Sequence, residues 1–236
     1  MIDYSELIDG DSKLLTSLRE KAPGTYKHSQ NVMNMCESVA KELNLNKDLL
    51  MCAAMFHDIG KIYKPEWFTE NQDDINPHNE VSPEMSYQII SRHISDSCLL
   101  LVENTFPIEV IKIVAGHHGN SVVKFFWEAA GGKDEIKDSF RYKSCPPTDT
   151  ETSILMICDR LEAQARSMAP SGKLNAISDK KKLINDVVED LIDDRQLDDL
   201  KIGNLRVVKD CLCEELKSMY HGRVDYEKAK TKDKKE

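Results

Sequence analysis

The chain has 236 residues, 40% of them hydrophobic and 31% charged, with only 10 Gly and 8 Pro. That is the make-up of a folded, helix-rich domain with one sizeable core, and it excludes fibrous and disordered classes. The net charge of −9 argues against a nucleic-acid polymer or an anionic membrane as partner, because both need a basic surface.

The opening "MIDYSELIDGDSKLL" lacks a basic stretch followed by an apolar one, so it does not read as a signal peptide. Apolar runs such as "CLLLV" at 98–102 fall far short of the ~18 to 20 residues that span a bilayer. A cytoplasmic protein is expected. The seven cysteines include no CxxC pair, and Cys211 and Cys213 point apart on a predicted helix, so free buried thiols are expected.

In chain order the pattern is helical throughout, with no sustained alternation of period two. Residues 1–24 form a helical lead-in. After "PGT" at 23–25, His28, Val32, Met35, Val39 and Leu43 recur at spacings of four, three, four and four, one face of a helix that carries His28 with the apolar stripe. A helix over 47–59 bears Leu50, Ala53, Ala54 and His57 and is expected to stop near Gly60.

Residues 64–83 are dense in Pro, Asn and Asp and read as a long, site-shaping loop. Ser82 and Pro83 then suit the N-cap and first position of a helix to about 95, with Ile89, Ile90 and His93 on one side. Pro107 opens a helix ending at His117 and His118 beside Gly119, and a second irregular stretch covers 131–149. Thr148 and Glu151 have capping-box spacing for a helix through about 168, on which Leu155, Asp159, Glu162 and Arg166 share a face. Helices over 178–194 and 204–221 follow, the latter with a stripe of Leu205, Val208, Leu212, Leu216 and Met219. Residues 227–236 read as a mobile charged tail.

"AAMFHDIGKI" at 53–62 places an aspartate in an apolar segment. A buried, unpaired carboxylate costs several kcal/mol, on the order of the penalty for a desolvated ion, so Asp58 calls for a cation. Any one of the histidines, taken alone, reads as a hydrogen-bonded core residue. Taken together, His28, His57, His93, His117 and His118 with Asp58 and Asp159 supply the nitrogen and oxygen atoms for two divalent transition metals. Neighbouring positions on a helix point about 100° apart, so His57 can face one metal while Asp58 reaches toward a second. Such a centre carries local positive charge that attracts phosphate despite the acidic whole. Lys61, one turn from His57, is the candidate for steadying phosphate oxygens, the alternative being a helix-end lysine. His78, Arg141 and Tyr142 in the two irregular stretches, and Arg166, are candidate substrate contacts, although Arg166 could equally form only a salt bridge with Glu162. His221 reads as structural.

The order His28, His57-Asp58, His93, His117-His118, Asp159 resembles the HD-domain metal-dependent phosphohydrolases in their two-metal form. The longer words "GTYKHS", "NPHNEVSPEMS", "HHGNS", "DRLEAQARSM" and "YHGRVDY" resemble the catalytic domain of the seven-transmembrane HD phosphodiesterases that hydrolyse cyclic di-AMP, over about 25–226. The resemblance implies an all-α helical bundle around a di-metal site of iron or manganese type. In it His28, His57, Asp58 and Asp159 would hold one ion, and Asp58, His93, His117 and His118 the other. It further implies attack by a bridging hydroxide on one phosphorus, departure of the ribose 3′-oxygen and release of linear pApA. The membrane bundle of that branch has no counterpart in this sequence, so a free-standing catalytic unit is expected, and a homodimer stays open.

Three rival readings fit the same residues. One is a phosphodiesterase or nucleotidase for another nucleotide, against whose cyclic di-GMP branch the absence of a GYP word after His118 counts. The second is a di-iron oxygenase, and the third a protein that sequesters a nucleotide without cleaving it.

Overall fold

Apolar stripes at helical spacing need a shared interior, and one long helix supplies its axis. The computed structural model describes residues 3–8, 12–73 and 75–220. Among them are α1 (Lys13–Lys21), α2 (Pro23–Leu43), α3 (Lys47–Phe56), α4 (Pro83–Ser91), α5 (His93–Glu103), α6 (Ile108–Gly116), α7 (Lys124–Ala129), α8 (Asp134–Lys137), α9 (Thr150–Met168), α10 (Ile177–Asp193) and α11 (Ile202–Met219). Among the described residues there is no strand, only an isolated antiparallel bridge between Val122 and Arg141. The all-α expectation holds. No helix of the described residues is long and apolar enough to cross a membrane.

Helix α2 starts with Pro23, whose fixed φ suits the first turn, and ends at Asn44 in the left-handed region (φ 53°). It packs against α1, α3, α9 and α11. Its stripe of His28, Val32, Met35 and Val39 is buried as expected, and Leu43 is partly so. Phe56, Leu101, Ile157 and Leu161 fill the same core, each worth about 1.5–3 kcal/mol when removed from water. Leu14, Leu15 and Leu18 of α1 join that core rather than forming one of their own.

Three boundaries differ from the sequence reading. Helix α3 ends at Phe56, and residues 59–63 wind into a 3-10 turn instead of meeting a glycine cap. Gly60 is there for close approach: a Cβ at this position would collide with the backbone of His93 and Ser97 on α5. The helix expected from 83 to 95 is two helices broken at Arg92, which makes His93 the first residue of α5. Asp149, not Thr148, caps α9, its side chain accepting from Thr152 N at 2.7 Å. Ser82 caps α4 as read, accepting from Met85 N.

The stretch at 64–83 is a chain of short 3-10 turns, and 131–149 contains α8. All seven cysteines are free, but Cys145 is exposed rather than buried. His221 and the tail at 227–236 lie outside the described residues.

Candidate metal centre

An α-helix leaves its last carbonyls without the usual i+4 amide partner. Three of the histidines take up those carbonyls. His57 follows α3 and its Nδ1 donates to Ala54 O at 2.7 Å; His117 follows α6 and donates to Val114 O at 2.6 Å; His93, just past α4, donates to Ile90 O at 2.6 Å. A carbonyl only accepts, so Nδ1 carries a proton in each ring and Nε2 is the nitrogen turned to the centre, free to present its lone pair once an ion takes the place of a proton there. All three Nε2 atoms and Asp58 Oδ1 are sealed from water and have no hydrogen-bond partner. Orphaned buried atoms of this kind are rare, and four converging in one place match a cation as their missing partner.

The geometry divides these atoms into two groups. One comprises His28, His57, Asp58 and Asp159, the other His93, His117 and His118, with the donor atoms of each group within 4.8 Å of one another. Asp58 faces both. Its Oδ2 lies 3.2 Å from His57 Nε2 and 3.6 Å from His28 Nε2, while Oδ1 lies 3.2 Å from His93 Nε2 and 4.0 Å from His117 Nε2. Asp159 likewise sets Oδ1 3.0 Å from His28 Nε2 and Oδ2 3.5 Å from His118 Nδ1. Atoms held ~2.0–2.2 Å from one ion stand roughly 3–3.5 Å apart, so the donor set fits divalent metals.

The electrostatics follow from burial and from these carboxylates. Burial works against charge on His57, but Asp58 and Asp159 outweigh it and hold its pKa up at about 10. Burial, reinforced by His57, pushes His117 down to about 3 and moves His118 and His93 in the same direction. Asp58 and Asp159 stay well below the usual carboxylate range although burial opposes this, because His57, Lys61 and His28 surround them.

Lys61 sits in the 3-10 turn after Asp58, and its Nζ is 2.6 Å from Asp58 Oδ2 and 2.8 Å from Glu70 Oε1. The ammonium also lies over the Phe68 ring, 4.7 Å from its centroid. Glu70 accepts from Thr25 Oγ1 at 3.0 Å as well, which ties the 3-10 segment to α2. Its pKa falls to about 2, since Lys61 overcomes the effect of burial. Glu162 receives His28 Nδ1 and fixes that ring, and it also holds Asn31 at 2.9 Å and Arg166 at 3.3 Å.

A cavity of about 410 Å³ opens onto the centre. His28, His93, His118 and Asp159 reach its wall, and so do Lys61, His78, Tyr142 and Arg166 from the sequence-derived candidates. His57, Asp58 and His117 lie behind them, less than 2% exposed. Tyr142 stacks on His118 with ring centroids 4.4 Å apart. Arg141 is the exception. Its guanidinium turns away to Asp194 (2.8 Å) and Asn120 O (2.8 Å), and it does not line the cavity. The sequence reading missed Glu70 altogether and saw Glu162 only as a partner for Arg166. Glu162 shares the predicted buried face of α9 with Asp159, a signal that was available; Glu70 sits in an aperiodic segment that offered none.

A helical bundle with a buried histidine–aspartate centre at the base of a cavity is the class that this fold and site define. Residues 25–164 match the HD domain family, and the chain belongs to it. The chain is 35% identical over 232 residues to the cyclic-di-AMP phosphodiesterase PgpH of Bacillus subtilis (strain 168), which covers 96% of this chain and 32% of that protein. It is 34% identical over 230 residues to the PgpH of Listeria monocytogenes serotype 1/2a (strain 10403S), covering 94% and 31%. The chain thus spans about a third of the length of these curated relatives. The crystal structure of the L. monocytogenes PgpH HD domain in complex with cyclic-di-AMP aligns with a TM-score of 0.83 at 33% identity, covering 91% of this chain and 100% of the other.

Proposed function

We propose that this chain is a metal-dependent phosphodiesterase that hydrolyses cyclic di-AMP to linear 5′-pApA. The observation that carries the reading is the placement of Asp58, one carboxylate oxygen toward each group of metal-ready atoms at the base of a cavity. The names of the PgpH relatives, and the cyclic-di-AMP in the aligned crystal structure, support the substrate.

His28, His57, Asp58 and Asp159 would hold one ion, and Asp58, His93, His117 and His118 the other, with iron or manganese suited to a mixed imidazole and carboxylate set. A pair of such ions supplies Lewis acidity toward a phosphoryl oxygen and lowers the pKa of water. The chain's own residues do the rest. The Nδ1–H anchors fix which nitrogen His28, His57, His93 and His117 present, so none of these four rings has to reorient when substrate arrives. Lys61 presents a buried cation beside Asp58 for a non-bridging phosphate oxygen, and Glu70 keeps it there. Arg166, one-third exposed at the cavity wall, suits the second phosphate. Tyr142 and Phe68 close off water around His118 and Lys61. The cytoplasm is the compartment that suits both such a substrate and free thiols.

The test is to incubate protein loaded with iron or manganese with a panel of cyclic dinucleotides and resolve products by chromatography and mass. Linear pApA forming from cyclic di-AMP well ahead of products from the others is expected, and Asp58→Ala is expected to abolish it. Near-normal turnover by a fully metallated Asp58→Ala protein contradicts the mechanism, and failure to cleave any member of the panel contradicts the function.

A further inference from the structure

Four of the five imidazoles at the centre are held by a hydrogen bond at Nδ1: His28 by Glu162, His57 by Ala54 O, His93 by Ile90 O and His117 by Val114 O. Among the described residues none supplies such an anchor to His118, whose Nδ1 instead faces Asp159 Oδ2 at 3.5 Å. His118 is also the most open of the five, its side chain 22% exposed where the other four are at most 2%. Burial therefore does less to hold this ring.

The main chain of His118 is fixed, because its carbonyl accepts from Ser121 N at 3.1 Å and from Ser121 Oγ at 2.8 Å. Its side-chain torsions are a separate matter. An unheld histidine samples several staggered wells at χ1 and a broad range at χ2, and selecting one of them weakens the binding of an ion.

Tyr142 lies flat on this ring, with centroids 4.4 Å apart and planes 18° from parallel. The same phenol ring stands edge-on to His93, at 6.3 Å and 86°. Backbone pairing puts it there. Tyr142 N donates to Ser121 O at 3.0 Å and Val123 N donates to Phe140 O at 2.9 Å, which fastens 140–142 beside the turn that follows His118. Tyr87 of α4 adds a third tie by donating its hydroxyl to Arg141 O. Tyr142 is thus a buried, fixed plate against the one imidazole that lacks an anchor.

We infer that Tyr142 is a positioning residue for the ion of the His93, His117 and His118 group: its ring holds the plane of His118 by stacking, where the other imidazoles are held by hydrogen bonds. Offset stacking of planar rings is favourable beyond the area that it buries, and a ring already in place loses no freedom when the ion arrives. The inference rests on the two-metal reading of the site and adds to it how His118 is made ready.

The experiment is manganese titration of metal-free wild type, Tyr142→Phe, Tyr142→Leu and Tyr142→Met, with thermal unfolding of each protein alongside. Wild type is expected to take up two ions. Tyr142→Phe keeps the stack and is expected to match it. The Leu and Met variants fill the space without a ring, and each is expected to bind one ion as wild type does and the other about tenfold more weakly, as for loss of a group that orients a ligand. Wild-type affinity for both ions in the aliphatic variants, equal weakening of both ions, or a Tyr142→Phe as impaired as Tyr142→Leu each overturns the inference. Wild type that takes up no manganese overturns the metal reading and the inference with it. Because the readout is ion uptake, a failure of the phosphodiesterase reading appears in the product assay and not in this titration.

Discussion

Lys61 and Glu70 meet at 2.8 Å across a segment that the sequence presents as loop, and their pairing fixes the one ammonium beside Asp58. Glu70 has an ordinary value of 4.5 and is held near 2 in the fold. Its contribution is therefore fully present above about pH 4.5 and is lost as pH falls through about 2. A shift of this size is worth on the order of 3 kcal/mol at neutral pH. Glu70→Gln in metal-free protein is expected to lower the urea midpoint at pH 7, and the gap from wild type is expected to close as the pH is taken below 4. A gap that does not change between pH 7 and 3 contradicts the assignment.

Glu162 acts through His28. Glu162→Ala removes the acceptor for His28 Nδ1 and leaves Asn31 and Arg166 without their shared partner. Loss of such a supporting group costs about 10–100-fold in metal affinity, and Glu162→Gln, which still accepts, should cost less. Manganese titration of the three proteins reads this directly.

Gly60→Ala places a methyl against the main chain of α5, where neither His93 O nor Ser97 N can move without moving the helix. The expected loss is about 3 kcal/mol of stability, the upper part of the range for overpacking, together with weaker metal binding because His93 is displaced. Thermal unfolding and metal titration of one sample report both.

Arg141 is expected to matter for stability alone. It joins Asp138, Asp194 and Asn120, with its side chain about one-quarter exposed, so Arg141→Ala should cost about 1–2 kcal/mol. The KM for cyclic di-AMP should stay within about twofold of wild type. A rise of tenfold or more would return Arg141 to the list of substrate contacts.

What the sequence disclosed and what it withheld separate along a physical line. His28, Asp159 and Leu212 lie on stripes of period 3.6, and burial enforces that period, so their faces were readable. The seven candidate metal ligands were found by residue type and position, and the structure brings all seven together. Arg141 and Tyr142 are adjacent in an irregular stretch with no period to say which one turns inward; only Tyr142 does. The break at Arg92 was invisible because 83–95 keeps its helical pattern through it. Glu70 is placed by ion pairing across the fold, and pairing leaves no periodic trace.

The use of helix-end carbonyls by His57, His93 and His117 sets up an inequality among the imidazoles. Their tautomers are dictated by main chain, and no substitution elsewhere can exchange one backbone oxygen for another. His28 answers to a side chain, Glu162, and so is the ring whose basicity a single codon change can retune. Variation in metal preference among proteins built this way would then concentrate at positions 28 and 162, while the other three rings stay invariant in character however far their surroundings diverge.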